Sequence, residues 1–447
     1  MKVNEVIKVE CIDLNHQALG VCKIDGFPIF VPNLLIGEVA LIEISKLTKS
    51  FGQGKVRKHL SFSPDRVKAI CPVFGNCGGC QIMHMSYESQ LRYKVKMAEE
   101  TFKRIGHLDN LKVKKIIAMN EPYYFRNKVQ VPFRLVNNQN RCGFFKKNTH
   151  EIVPLEVCFI QPLEATEIIK TIKYLLDEYH ISAYSEESHK GILRHVLIRK
   201  TIYNDYMVVL ITKSEELPHR EEIISRLIKK YPIIKSVIQN INSQKGNVIL
   251  GEKSKVLFGE GTLIDELLGL KFHISEKSFF QTNHLQTEEL YRQIEKYVDP
   301  QECDVIVDGY SGVGTISLML ARKAKLVFGI EIVPEAIADA RVNASLNNIT
   351  NVQFIVGKTE TEIEKLKAIE INTIVVDPPR KGCERKLLEA IIERRIKKII
   401  YVSCDVATLA RDLEILSSSY NITEVTLIDM FPQTSGVEAV VLLELKK

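Results

Sequence analysis

The chain has 447 residues, 45% of them apolar and 26% charged, which excludes a disordered or fibrous protein and requires two or three domains with a sizeable core. Ten cysteines in so long a chain do not make a disulfide scaffold, so they serve as core residues, metal ligands or nucleophiles. The formal net charge of +6 is local: residues 91–147 hold fourteen Lys and Arg against four Asp and Glu, leaving the remainder net acidic.

The opening MKVNEVIKVECIDLNH scatters its charges and has no apolar signal core, and no later segment reaches the length of a membrane span, so a cytoplasmic protein is expected. Residues 1–62 read as short strands broken by Gly20, Gly26, Gly37, Gly52 and Gly54, with VCKIDGFPIFVPN as two strands joined at Asp25-Gly26, and a small β-barrel is expected there. A basic run overlaps its end, with Lys46, Lys49, Lys55, Arg57, Lys58, Arg66 and Lys68 opposed only by Asp65. Together with residues 91–147 it fits a polyanion such as nucleic acid; a solvated surface is the alternative.

Residues 63–270 mix a basic amphipathic stretch, Leu91 to Ile105, with strands such as HVLIRKTI and YMVVLIT, and their topology does not follow from pattern alone. Cys71, Cys77 and Cys80 form C-x5-C-x2-C, and Cys158 follows in VPLEVCFIQ. Four thiolates suffice for an iron–sulfur cluster or a tetrahedral zinc. Cys11, Cys22, Cys142, Cys303 and Cys383 read as small apolar residues.

From residue 271 to 447, apolar strands alternate with helical segments: DVIVD, LVFGI, VQFIV, TIVVD, KKIIYVS, EVTLID and EAVVLLEL. That pattern predicts a doubly wound α/β domain, whose ligands bind beyond the carboxyl ends of the strands. Asp308, Glu331, Asp377 and Cys404 all fall at such ends. The first strand enters a Gly-rich turn, DGYSGVGTISL, with Ser317 where a dinucleotide fingerprint has its third glycine, and Glu331 is placed to accept hydrogen bonds from ribose hydroxyls. With DPPRKG after the fourth strand, this ordered set looks like a class I S-adenosylmethionine methyltransferase. Enzymes that methylate the exocyclic amine of adenine follow D-P-P with an aromatic residue; Arg380 stands here, so that chemistry is the weaker reading. In IIYVSCDVATLARD a strand delivers Cys404 to the start of a helix, whose dipole is expected to lower its pKa. A thiolate there can add to carbon 6 of uracil and make carbon 5 nucleophilic.

The stretches FRNKVQVPF (125–133), SFFQTN (278–283), DGYSGVGTISL (308–318), DPPRKGC (377–383), YVSCDVATLARD (401–412) and FPQTSGVEAVVLL (431–443) resemble the TrmA/RumA family of RNA uracil-5-methyltransferases. The similarity runs over nearly the whole chain. It implies that Cys404 is the nucleophile and Glu438 the base that removes the carbon 5 proton, and that Gln281, Tyr310, Glu331 and Asp377 contact S-adenosylmethionine. It also implies a [4Fe-4S] cluster on Cys71, Cys77, Cys80 and Cys158, with zinc as the alternative. The fold it implies is multidomain α/β: an OB-like TRAM barrel (1–62), a cluster-bearing central domain with a basic RNA-facing surface (63–270) and a Rossmann-like catalytic domain (271–447).

Family members acting on transfer RNA generally lack the barrel and the four cysteines, whereas members acting on 23S ribosomal RNA can carry both. The resemblance therefore implies 23S ribosomal RNA as the partner; a monomer is expected, and presenting carbon 5 and carbon 6 to Cys404 requires that the target uridine leave its stack. Three departures stand out: Gly436 where His is common, Val406 where Pro is common, and Lys358 where an acidic residue is common. Transfer RNA as substrate, and an RNA-binding factor with an inactive methyltransferase domain, are the competing readings.

Overall fold

The computed structural model describes all 447 residues, Met1 to Lys447. Six strands form the N-terminal sheet: β1 (Val6–Glu10), β2 (Asp13–Leu14), β3 (Gly20–Ile24), β4 (Phe27–Val31), β5 (Val39–Leu47) and β6 (Gly52–His59), in the order β1-β5-β6-β4-β3-β2. The β3–β4 hairpin turns at Asp25 and Gly26, whose φ values of 49° and 81° suit the two-residue turn that matches strand twist. Val9, Cys22, Ile29, Val31, Ile42 and Ile44 fill the inside of the sheet.

Helix α1 (Tyr87–Gly106) and strand β7 (Lys115–Ile117) follow in the chain, but they belong to the C-terminal unit rather than the central one. Ala98 and Phe102 of α1 enter the C-terminal core, and β7 pairs in parallel with that domain's edge strand. The central unit is built from β8 (Lys128–Val136), β9 (Gln139–Phe145), β10 (Ile152–Pro154), α2 (Leu163–Glu178), β11 (Leu193–Lys200), β12 (Tyr206–Thr212), α3 (Arg220–Lys230), β13 (Ile234–Ile241) and β14 (Lys253–Phe258). Its sheet runs β10-β9-β8-β11-β12-β13-β14 and is antiparallel except where α3 crosses from β12 to the parallel β13. Helices α2 and α3 cover one face, which holds most of this unit's core. A short hairpin, β15 (Leu263–Leu267) and β16 (Leu270–Ile274), leads out of it.

The C-terminal unit contains α4 (His284–Val298), β17 (Val305–Gly309), α5 (Thr315–Ala321), β18 (Leu326–Glu331), α6 (Pro334–Leu346), β19 (Val352–Val356), α7 (Thr359–Lys365), β20 (Thr373–Val376), α8 (Arg385–Glu393), β21 (Lys398–Ser403), α9 (Val406–Leu416), β22 (Tyr420–Ile428) and β23 (Glu438–Leu445). All seven expected strands are present, ordered β19-β18-β17-β20-β21-β23-β22, with β7 added at the edge. Alternate residues feed opposite cores: Val307, Val376, Tyr401 and Val441 face α1, α8 and α9, whereas Ile306, Val375, Ile400 and Val440 face α4, α5 and α6. Both faces are therefore buried, and chemistry is left to the strand ends. No helix is long and apolar enough to cross a membrane.

Candidate active site

The register of the sheet sets the centre of the site. β21 and β23 are antiparallel, and their last pair is Ser403 with Ala439, so Cys404, one residue on, and Glu438, one residue before, face each other where the two strands part. β20 lies on the other side of β21, and Asp377 follows its last residue, Val376. One crevice thus collects a thiol and two carboxyls from strands remote in sequence. Glu438 is 2% exposed and its Oε2 has no hydrogen-bond partner; Cys404 and Asp377 are half-buried.

Electrostatics follow from that crowding. Burial and the Asp377 carboxyl raise Glu438 well above the usual carboxylate range, with Arg380 opposing them. Burial pushes Asp377 up to about 6. Asp308, buried at the end of β17, is pushed up to about 7 by burial, against the hydrogen bond it accepts from Ser317 Oγ at 2.5 Å. The expected lowering of Cys404 is not found: burial, then Glu438 and Asp377, raise the thiol to about 11, and Arg380 pulls it down. The helix end is also occupied. Asp405, not Cys404, caps α9, and its Oδ1 accepts from the N–H groups of Ala407 and Thr408 at 3.0 Å each, so the positive end of the helix faces a carboxylate. Arg380, considered in the sequence only as a missing aromatic, is the cation that acts on both Cys404 and Glu438.

The D-P-P-R-K-G-C loop that carries Asp377 and Arg380 is tied to α9. Asp412 Oδ2 accepts from Cys383 N–H at 2.9 Å and from the Tyr401 hydroxyl at 2.5 Å, and Thr408 Oγ1 donates to Arg380 C=O at 3.1 Å. A Cβ at Gly382 would lie 2.6 Å from Asp412 Oδ2, at φ +78°, which explains the glycine.

The nucleotide end is equally fixed. Glu331 ends β18, half-buried, and accepts from Gly312 N–H at 3.2 Å and Val333 N–H at 3.0 Å, so its carboxylate is aimed by backbone. Tyr310 takes a left-handed φ of 71° at the turn, and Gly314 is required because a Cβ there would lie 2.7 Å from the Phe354 ring. Ser317 replaces the third fingerprint glycine because its hydroxyl is Asp308's partner. Gln281 is buried in a loop bound to the central unit: Asn127 Nδ2 donates to Gln281 C=O at 3.0 Å, and Asn127 N–H donates to Thr282 C=O at 2.9 Å. Phe279, two residues earlier, exposes 68% of its surface, and polarity patterns gave no reason to single it out.

A chain with this arrangement can be compared with known proteins. A family model described as tRNA (Uracil-5-)-methyltransferase matches residues 234–446, and a TRAM domain model matches residues 1–56. An uncharacterized RNA methyltransferase of Halalkalibacterium halodurans is 45% identical over 447 residues, covering 99% of this chain and 98% of that protein. One of Clostridium acetobutylicum is 45% identical over 450 residues, with 99% and 98% covered. The crystal structure of Pyrococcus abyssi tRNA (uracil-54, C5)-methyltransferase with S-adenosyl-L-homocysteine matches with a TM-score of 0.80 at 27% identity, covering 97% of this chain and 99% of that one. The chain belongs to the RNA uracil-5-methyltransferase family. It is an S-adenosylmethionine-dependent, RNA-binding methyltransferase with an N-terminal TRAM domain.

Within this methyltransferase the four cysteines Cys71, Cys77, Cys80 and Cys158 line a single cavity of about 340 Å³, together with Arg126 and Lys128. No three His, Cys, Asp or Glu side chains converge as ligands of one ion. Burial raises the Cys80 thiol, and Cys158 and Cys77 raise it further. Of the other cysteines, Cys11, Cys22, Cys142 and Cys383 are buried as expected, but Cys303 is exposed.

The basic stretches divide differently from expectation. In residues 91–147, Lys94 is buried against Asp429, Arg92 pairs with Asp65, Lys96 with Asp13, Lys112 with Glu99, Lys114 with Glu424 and Arg134 with Glu186. Much of that charge is thus engaged internally. Of the Lys and Arg in residues 46–68 only Arg57 and Arg66 are ion-paired, to Glu43 and Glu38, and Lys46, Lys49, Lys55, Lys58 and Lys68 are exposed without a carboxylate partner.

Proposed function

We propose that this methyltransferase modifies carbon 5 of a uridine in 23S ribosomal RNA through a covalent adduct on Cys404. The observation that supports it most is the opposition of Cys404 and Glu438 across the end of the β21–β23 pair. Gln281, Tyr310, Glu331 and Asp377 would hold S-adenosylmethionine, whose sulfonium would supply an electrophilic methyl group. The Cys404 thiol gives up its proton to solvent and its sulfur bonds to uracil carbon 6, which moves the electron pair of the 5,6 double bond onto carbon 5 and O4. Carbon 5 would take the methyl group as the sulfur–methyl bond breaks, its electron pair returning to sulfur and S-adenosylhomocysteine departing. Glu438 then removes the carbon 5 proton; that bond's electrons restore the double bond and expel the sulfur. A carboxylate whose pKa burial has raised is a stronger base for this step. Arg380 favours the thiolate.

The cavity of the four cysteines is proposed to hold a [4Fe-4S] cluster. A single zinc, which takes four sulfurs at about 2.3 Å, is the alternative guest. A cluster takes its thiolates around its periphery, and Arg126 and Lys128 on the same wall suit an anionic guest. Protein purified without oxygen should be brown and lose its colour when Cys77 or Cys158 becomes Ser.

A second reading, transfer RNA as substrate, is favoured by one observation: the Pyrococcus abyssi enzyme that matches over the full length acts on uracil-54 of tRNA. The deciding assay offers equal amounts of unmodified 23S RNA and transfer RNA with labelled cofactor, and maps the product. Label confined to transfer RNA overturns the ribosomal assignment. For the mechanism, RNA containing 5-fluorouridine should trap a covalent adduct with the native enzyme and none with Cys404→Ala, since fluorine cannot leave carbon 5 as a proton does. Methyl transfer by Cys404→Ala at the native rate would refute the nucleophile.

A further inference from the structure

A hollow lies where the chain leaves the TRAM domain. β6 ends at His59, and the residues that follow run against the segment just before α1. Val67 N–H donates to His84 C=O at 2.9 Å, Ser86 N–H donates to Asp65 C=O at 2.8 Å, and Arg66 bridges to Met85. These bonds frame a cavity of about 470 Å³ lined by Phe62, Arg66, Lys68, Phe74 and His84 among others. That volume is in the range of a small-ligand site, on the order of 300–1,000 Å³. Phe74 also lines the cysteine cavity, and none of Cys404, Glu438 or the proposed cofactor contacts belongs to either.

Three features mark this hollow. Phe62 exposes 66% of its surface, the ring being steadied by a stack on His59 at 5.1 Å and 26° and by the Arg66 guanidinium 5.9 Å from its centroid. An aromatic ring so held and so exposed is a platform for another flat ring. His84 is 3% exposed, tilted against Phe74 at 5.2 Å, and neither of its ring nitrogens has a hydrogen-bond partner. Burial and Arg66 keep it neutral, with its pKa lowered to about 3, so one nitrogen donates and the other accepts. Lys68 on the lining is exposed and unpaired, and Lys55 and Lys58 on β6 are likewise free, whereas Arg66 is neutralised by Glu38.

We propose that this hollow binds one nucleotide of single-stranded RNA, its base stacked on Phe62 and its phosphate paired with Lys68, outside the catalytic crevice. It would grip unpaired RNA beside the target and hold the strand while the uridine enters the crevice. The charge decides for RNA over an acidic peptide only together with the exposed ring: stacking on a single aromatic side chain is the mode by which unpaired bases are held. A paired strand offers no free base face to Phe62, so duplex RNA should not use the site.

The test measures affinity of the full-length protein for fluorescein-labelled oligouridylate and for a duplex RNA of the same length. Phe62→Ala is expected to weaken oligouridylate binding by roughly tenfold or more while leaving duplex binding within about twofold, and Phe62→Trp should restore it. Lys68→Ala should lower the slope of log affinity against log salt by about 0.7. Unchanged oligouridylate affinity in Phe62→Ala overturns the proposal. So does an equal loss in Phe62→Trp, or an equal loss for duplex, either of which would mean that the substitution disturbs the domain rather than a stack.

Discussion

Gln433 and Gln90 exchange a reciprocal pair of hydrogen bonds: Gln90 Nε2 donates to Gln433 Oε1 at 3.0 Å, and Gln433 N–H donates to Gln90 Oε1 at 3.0 Å. Gln433 is 1% exposed with φ +68°, and its carbonyl also accepts from the N–H groups of Gln81 and Ile82, at 3.1 and 3.2 Å. The segment that leaves Cys80 and enters α1 therefore clamps the loop that leads to Glu438. Nearby, Lys94 pairs with Asp429 and donates to Phe431 C=O at 3.1 Å.

Replacing Gln433 with Ala should loosen that loop and misplace the base. An error of about 1 Å in a reacting group costs on the order of 10²-fold in rate, and the loss should fall on proton removal. RNA should then accumulate as a methylated covalent adduct, visible on denaturing gels, as it should with Glu438→Gln. Slow turnover without adduct would place the defect at an earlier step.

Arg380→Ala should make Cys404 less reactive. The guanidinium lowers both Cys404 and Glu438, so without it the thiol, already raised to about 11, rises further and less thiolate is present at any pH below that. Alkylation of Cys404 by iodoacetamide, followed by mass spectrometry from pH 7 to pH 10, should be slower at every pH in that range. An unchanged profile would remove Arg380 from the activation of the thiol.

What the sequence made legible was set by local pattern. The seven strands of the catalytic domain are apolar runs between helical segments, and the Asp25-Gly26 hairpin has a turn with few other solutions. Cys404 was legible because a thiol at the join of strand and helix is poorly placed for packing. β7 was not, because Lys115 to Ile117 becomes a strand only by pairing with β22. The amphipathic pattern of α1 indicated a buried face but not which domain would bury it. The central topology was hidden because β12 is buried along its whole length and shows no alternation. Gln433 was a polar residue in a loop; only the fold supplies Gln90, 343 positions earlier.

Cofactor affinity should fall as pH falls. Asp308 at about 7 and Asp377 at about 6 are raised carboxyls, so both are largely ionised at pH 8 and take up protons as pH drops through 7 and 6. S-adenosylmethionine carries a sulfonium charge that favours the ionised crevice, and its binding should release protons. Calorimetry between pH 8 and pH 6 should show roughly tenfold weaker binding at the lower pH. S-adenosylhomocysteine, which lacks the sulfonium, should change less. Equal pH dependence for the two would show that these carboxyls do not respond to the cofactor's charge.

Asp412→Ala should cost stability and cofactor binding together. Asp412 is fully buried, and its removal strands the Tyr401 hydroxyl proton, at about 1–3 kcal/mol for an unsatisfied group, and leaves the Cys383 N–H only its longer bond to the Tyr401 oxygen at 3.2 Å. A total loss of about 3 kcal/mol is expected, read by circular dichroism in urea because the chain has no Trp to report by fluorescence. The same carboxylate holds the loop that presents Asp377 and Arg380, so S-adenosylmethionine should bind more weakly even where the variant remains folded. Asp412→Asn keeps an oxygen acceptor in place and should recover most of both losses. If the Ala variant binds cofactor as tightly as the native protein under folded conditions, the loop keeps its position without Asp412 and the link from α9 to the crevice is absent.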